Sequence, residues 1–352
     1  MMYVNPNIKN TERVFSRQGR YDYLRCDMNE NPEGLPKDFV DSVLSQITPE
    51  FLSVYPEPDR FIKKYAKYIG KRSEQILPTN GSDMAIRYLF EVFGEPGKDV
   101  VTVSPSFEMY RVYCNMFGLN HIPVNYNEDC TVDIDRIINN ITEETCIAVL
   151  VNPNNPTGDS FSAADAEKII QRAQKIDALV IIDEAYHYFW NQSLINFVDK
   201  YSNVVLLRTF SKFFSIAALR LGVMIASKEI IHFVRNAKLS FDVNSLALLF
   251  GEKLIDNPDV IKHLTDTWRE GEQYLIDFLE QNDYRYRKCK GNFILIRTKQ
   301  HPETVVRRLE DEKRILVHGF GGGLFHDYIR VSVGSVHSMQ LFLNAFIEID
   351  QG

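Results

Sequence analysis

Two apolar runs end in residues that could do chemistry together. Val180-Ile181-Ile182 stops at Asp183-Glu184-Ala185-Tyr186, and the run over 204–207 stops at Arg208-Thr209-Phe210-Ser211-Lys212. Short runs of this kind read as buried parallel strands whose carboxyl ends face one crevice. Asp183 and Lys212 are therefore expected at a common sheet edge, with Ala218-Leu219-Arg220-Leu221-Gly222 following close behind.

A carboxylate and an amine so placed suit pyridoxal phosphate chemistry. The lysine amine condenses with the aldehyde of that cofactor. The aspartate keeps the pyridine nitrogen protonated, so that the ring accepts electrons when a bond at the substrate α-carbon breaks. Tyr186 is placed to hydrogen-bond the phenolic oxygen of the ring, while Thr209, Ser211 and Arg220 offer two hydroxyls and a fork of N–H donors to the phosphate. Most single lysines are solvated surface residues, so Lys212 counts only with these neighbours. The run ending at Asp183-Glu184 also matches the metal-binding strand of phosphate-loop NTPases. That reading needs a Gly-rich loop closing in Gly-Lys-Ser/Thr. The chain has no such loop, and no metal site is expected.

The elements that must hold these residues alternate between strand and helix from residue 76 to about 226, which predicts an α/β fold with a mainly parallel sheet covered by helices. Within it, Thr79-Asn80-Gly81-Ser82-Asp83 feeds an amphipathic run carrying Ala85, Leu89, Val92 and Phe93. A helix start of this kind is either a phosphate site or an ordinary N-cap. Residues 152–158, Asn-Pro-Asn-Asn-Pro-Thr-Gly, are too rich in turn formers for strand or helix. Helical runs near 228–238, 244–256 and 258–282 lead to a smaller α+β unit with strands near 293–297, 315–317 and 328–333. The division expected is an N-terminal arm over 1–35, a large domain over 36–250 and a small C-terminal domain over 251–352.

Composition narrows the class. A net charge of −7 disfavours nucleic acid and anionic membranes as partners. The five cysteines, odd in number and without C-x-x-C spacing, read as reduced thiols of a cytoplasmic protein. No apolar run reaches ~18 residues, so no membrane span is expected.

Residues 152–158, Asp183-Glu184-Ala185-Tyr186, Arg208-Thr209-Phe210-Ser211-Lys212 and Ala218-Leu219-Arg220-Leu221-Gly222 together resemble the fold-type I aminotransferases of class I/II, most nearly those acting on histidinol phosphate. The resemblance runs over nearly the whole chain. It implies an aspartate aminotransferase-like fold with a seven-stranded sheet, and transamination between an amino acid donor, glutamate, and a small keto acceptor.

It also implies roles. Gly81, Ser82 and Asp83 would form the phosphate cup, Tyr110 would stack flat on the pyridine ring with Phe107 behind it, and Asn155 would donate to the phenolic oxygen opposite Tyr186. Tyr55, in Tyr-Pro-Glu-Pro, would reach the cofactor phosphate of a neighbouring subunit, which requires a homodimer. Asn29 would close over the substrate, Asn292 would contact it, and Arg330 would bind its carboxylate with two parallel hydrogen bonds. Relatives that decarboxylate phosphorylated amino acids, such as threonine-phosphate decarboxylase, share this catalytic set. Where the family carries a further arginine for the substrate phosphate or distal carboxylate, this chain has His318, a poorer partner for a dianion. Arginines of the arm, Arg13, Arg17, Arg20 and Arg25, are candidates to stand in, and residues 319–323 read as a flexible lid loop.

Overall fold

The structure is a computed structural model that describes residues 2–9 and 18–351. Its strands in chain order are β1 Leu24–Cys26, β2 Ile76–Asn80, β3 Asp99–Ser104, β4 Asn120–Asn125, β5 Thr145–Val151, β6 Leu179–Asp183, β7 Val204–Thr209, β8 Leu221–Ala226, β9 Tyr286–Lys288, β10 Phe293–Arg297, β11 Ile315–Gly319 and β12 Tyr328–Ser332.

Seven of them form one sheet in the order β2-β8-β7-β6-β5-β3-β4. Pairing is parallel from β7 across to β4, and β8 alone runs against its neighbours β2 and β7. The near-continuous apolar strands follow from helices on both faces. In β6 and β7, Val180, Ile182, Val204 and Leu206 join one core, while Leu179, Ile181, Val205 and Leu207 join the core on the other face. Each strand is therefore apolar until its end, where polar residues emerge at the rim.

The second sheet has the order β1-β11-β12-β10-β9 and its own core, which includes Leu275, Ile294, Val331 and Phe346. β1 pairs in parallel with β11, matching Leu24 with Ile315. Part of the segment expected as an arm is thus a strand of the small sheet. A three-residue strand, Leu24 and Cys26 on either side of Arg25, was too short a run to stand out among the tyrosines and arginines around it. The three expected helical runs are present as Lys228–Ala237, Ser245–Ile255 and Pro258–Gln281. Among the described residues, no helix is long and apolar enough to cross a membrane.

After β1, residues 27–34 form a strap from the small sheet to the rim of the large one. Asn31 Nδ2 donates to Ser215 Oγ at 2.9 Å, and Glu33 Oε1 accepts from the Ser335 N–H at 2.9 Å. This strap, together with β12, closes the side of the crevice opposite Asp183 and Lys212.

Candidate active site

β6 and β7 are neighbouring parallel strands, with Asp183 level with Leu207. Asp183 therefore ends one strand beside Thr209, Ser211 and Lys212, which end the other. Its carboxylate is 3% exposed and accepts from Tyr110 Oη at 2.8 Å and from the Ala185 N–H at 3.0 Å. Burial raises the carboxyl to about 6, against those two hydrogen bonds. The next residue, Glu184, turns the other way. It is fully buried and meets Arg208 Nη2 at 2.9 Å, Ser193 Oγ at 2.9 Å and the Leu194 N–H at 2.6 Å. Of two adjacent carboxylates, one is locked into the interior and the other has neutral donors only.

Lys212 Nζ donates to the backbone carbonyl of Met28 at 2.7 Å. Burial and then the Arg330 charge lower its amine to about 8. An amine so depressed is neutral, and hence nucleophilic, far more often than an ordinary lysine.

The neighbouring corner is shaped by glycines. Gly222, in β8, lies so close to the first helical turn after β2 that a Cβ there would fall 2.3 Å from Gly81 C and 2.4 Å from Ser82 N. Gly81 has φ +76, and a Cβ on it would sit 2.5 Å from Arg220 Nη2. The helix Gly81–Phe93 thus presents the free N–H groups of its first turn beside a guanidinium. Thr209 Oγ1 donates to Ser211 Oγ at 3.0 Å, and Arg220 Nη1 lies 3.4 Å from the same hydroxyl. Gly81, Ser82, Thr209, Ser211 and Arg220 are therefore gathered into one anion cradle. Asp83, in the same turn, accepts from Tyr113 Oη at 3.0 Å.

On the facing side, Arg330 is 8% exposed. Its Nη1 donates to Asn155 Oδ1 at 2.7 Å, its Nη2 donates to the Asp27 carbonyl at 2.6 Å, and its Nε is buried without a partner. Asn29, 1% exposed and at φ 55, donates from Nδ2 to Tyr186 Oη at 2.8 Å. Its N–H donates to Ser332 Oγ at 2.8 Å, and its carbonyl accepts from Asn292 Nδ2 at 3.0 Å. Burial raises the Tyr186 phenol, against Arg330 and the Asn29 bond.

With this geometry in place, comparison with known proteins is decisive. The model of aminotransferase class I and II matches residues 24–346. The chain belongs to that family. It is 31% identical over 327 residues to a histidinol-phosphate aminotransferase of Clostridium novyi, covering 92% of this chain and 90% of that protein. It is 30% identical over 330 residues to one of Caldanaerobacter subterraneus, covering 92% of each. In fold it is similar to the histidinol-phosphate aminotransferase of Sinorhizobium meliloti solved with pyridoxal-5'-phosphate, at a TM-score of 0.89 and 19% identity over 100% of this chain and 98% of that one. An aspartate aminotransferase variant of Thermus thermophilus aligns with a TM-score of 0.82 and 17% identity, over 99% of this chain and 100% of that one.

This class I and II aminotransferase is an enzyme that uses pyridoxal phosphate, and its residues fit that group. Among the described residues no cation lies against the buried Asp183 carboxylate, as a partner for a protonated ring nitrogen requires. The cradle that a Cβ on Gly81 would fill is polar and cationic, as a phosphate requires.

Tyr110, expected to stack on the ring, is 1% exposed and donates its hydroxyl to Asp183. Sequence offered two aromatics three residues apart, and helical geometry sends only Tyr110 inward, since the helix begins at Met109. Phe107 stands edge-on to Tyr110 with ring centroids 6.2 Å apart, and is 37% exposed.

Tyr55 is not brought to the site within one chain. It is 72% exposed and stacked on Phe241, ring centroids 4.4 Å apart. Of the arm arginines, Arg13 and Arg17 lie outside the described residues. Sequence reasoning missed the carbonyls of Asp27 and Met28 as partners of Arg330 and Lys212. No side-chain signal marks a backbone carbonyl, and only the turn chemistry of the strap hinted at a special path.

Proposed function

We propose that the enzyme transfers an amino group from glutamate to a small keto acceptor in the manner of the histidinol-phosphate aminotransferases it resembles, as a cytoplasmic homodimer. The observation that carries this reading is the pairing at one sheet edge of a depressed amine, Lys212, with a buried carboxylate that lacks a cation, Asp183.

When bound, pyridoxal phosphate supplies an aldehyde for the Lys212 amine and a ring that takes up the electron pair released at the substrate α-carbon. Asp183 would hold the proton on the ring nitrogen, and Tyr110 holds Asp183. Asn155 keeps its Oδ1 on Arg330, which leaves its Nδ2 to donate to the phenolic oxygen, and Tyr186 would also hold that oxygen. The exposed Phe107, in place of Tyr110, would cover the ring. Arg330 fixes the donor carboxylate, and its unpartnered Nε is the N–H free to begin that contact. The Lys212 amine would carry the proton at the substrate α-carbon.

A second copy is supported by exposed apolar surface around the Tyr55–Phe241 stack, where Leu52, Val54 and Leu239 are also exposed. Tyr55 would complete the phosphate cradle of that copy. The cytoplasmic placement is supported by five cysteines that form no disulfide. The test is a half-reaction screen, offering single amino acids to the yellow loaded enzyme and following conversion of the cofactor to its amine form. Glutamate should convert it and yield keto acid. Release of carbon dioxide without keto acid, from a phosphorylated amino acid, would replace transamination by decarboxylation.

A further inference from the structure

Lys212 also forms part of the wall of a cavity of about 20 Å³, which is room for one water molecule. The polar walls are Asn31, Lys212, Trp268 and Asn292, and Phe189 and Phe213 are among the apolar ones. Trp268 comes from the helix Pro258–Gln281 and meets Phe189 edge-on, with ring centroids 5.1 Å apart. That helix runs from the core of the large sheet, through Leu264, to the core of the small one, through Leu275.

Two of these walls carry a buried polar atom with no partner among the described residues, Trp268 Nε1 and Asn292 Oδ1. They are of opposite kind. An indole N–H can only donate. Asn292 is 3% exposed and gives its Nδ2 to the Asn29 carbonyl at 3.0 Å, which leaves Oδ1, an acceptor. One water that accepts from the indole and donates to the amide oxygen would satisfy both. Asn31 has little left to offer it. Its Nδ2 donates to the Gly34 carbonyl and to Ser215 Oγ, each at 2.9 Å, and its Oδ1 accepts from the Glu33 N–H at 3.1 Å. The remaining polar wall is Lys212. We propose that Trp268 is a positioning residue for the reacting amine, and that with Asn292 it holds one water molecule against Lys212.

This deepens the reading of Lys212 as the amine that takes the cofactor, and rests on it. A water held there solvates the ammonium form of Lys212 more than the neutral form. The charges acting on the amine are those of Arg330, Glu30, Arg220 and Asp27, and none of these residues lines the cavity. Removing the indole N–H therefore changes the hydration of Lys212 and no charge around it. Desolvation already lowers the amine, and loss of the water should lower it further.

The test has two arms. In a crystal structure of the loaded enzyme, an ordered water should lie within about 3.2 Å of both Trp268 Nε1 and Asn292 Oδ1. In the second arm, Trp268 is replaced by its benzothiophene isostere, which keeps the shape of the side chain and has sulfur in place of the N–H. The pH midpoint for cofactor uptake by this apoenzyme should fall by about half a unit or more, which makes uptake at pH 7 about two- to threefold faster. A tryptophan that merely packed would leave the midpoint where it was. The proposal is overturned if no water bridges the two atoms, or if the isostere leaves the midpoint unchanged or raises it. Should the cofactor attach to another lysine, the peptide that carries it after borohydride reduction shows this separately, and the crystallographic arm is read without reference to it.

Discussion

At the rim of the seven-stranded sheet, Asp183 meets only neutral donors, Lys212 meets one carbonyl, and Arg220 leans over the bare Cα of Gly81. Across the crevice, the polar groups of the strap and the small sheet are engaged: Arg20 on Asp27 and Glu30, Arg330 on Asn155 and the Asp27 carbonyl, Asn29 on Tyr186 and Ser332. The first side keeps polar groups short of partners, which a permanent cofactor would complete. The second side pairs its charges, apart from the Nε atoms of Arg20 and Arg330, as suits a surface that must release each ligand. On the proposed reading, affinity for the cofactor and choice of substrate are lodged in different residues.

The contrast is broken most directly at Lys212. Lys212→Ala should lower amino-group transfer by about 10⁴-fold or more, since the attachment point and the proton carrier are lost together. A steady-state assay with glutamate checks this, and retention of a tenth of the rate would remove Lys212 from the chemistry. The adjacent carboxylates sharpen it further. Asp183→Asn should cost about 10²–10³-fold in rate with the melting temperature nearly kept. Glu184→Ala, which strands Arg208 in the interior, should cost about 3–5 kcal/mol of stability measured by urea unfolding. A reversed pattern would mean that the two side chains had been assigned to the wrong faces.

Smaller in effect is Tyr110→Phe, which keeps the ring and removes one bond to a charged carboxylate. Cofactor affinity should fall about tenfold by absorbance titration. A ring that merely stacked would show no change. Smallest is the pH dependence of cofactor uptake by the apoenzyme. Only the neutral amine reacts, and the Lys212 amine is lowered to about 8, so the uptake rate should rise with pH through a midpoint near 8. In Arg330→Met, which removes the charge that lowers the Lys212 amine most, the midpoint should move upward.

Much of the large sheet was legible in sequence because its strands are apolar on both faces and stop at chemistry. Asp183, Thr209, Ser211 and Lys212 all follow such a stop, and Arg220 stands just before β8. β1 was not legible, because a three-residue strand carries no period. The partner of Tyr110 was not legible either: the choice between Phe107 and Tyr110 depends on where a helix begins, and the residues at 105–109 carry no capping signal that fixes it. Arg208 carried no role of its own in the sequence, and its guanidinium, inside an apolar strand, is held by Glu184 of the neighbouring strand's end. The ion pairs of Arg20 are set by the path of the strap, which local pattern does not encode.

The attachment of the cofactor to Lys212 is tested by borohydride reduction of the loaded enzyme followed by peptide mass spectrometry. A single pyridoxyl adduct on the peptide containing Lys212 is the result expected here. An adduct on another lysine, or none at all from a yellow enzyme, would contradict it.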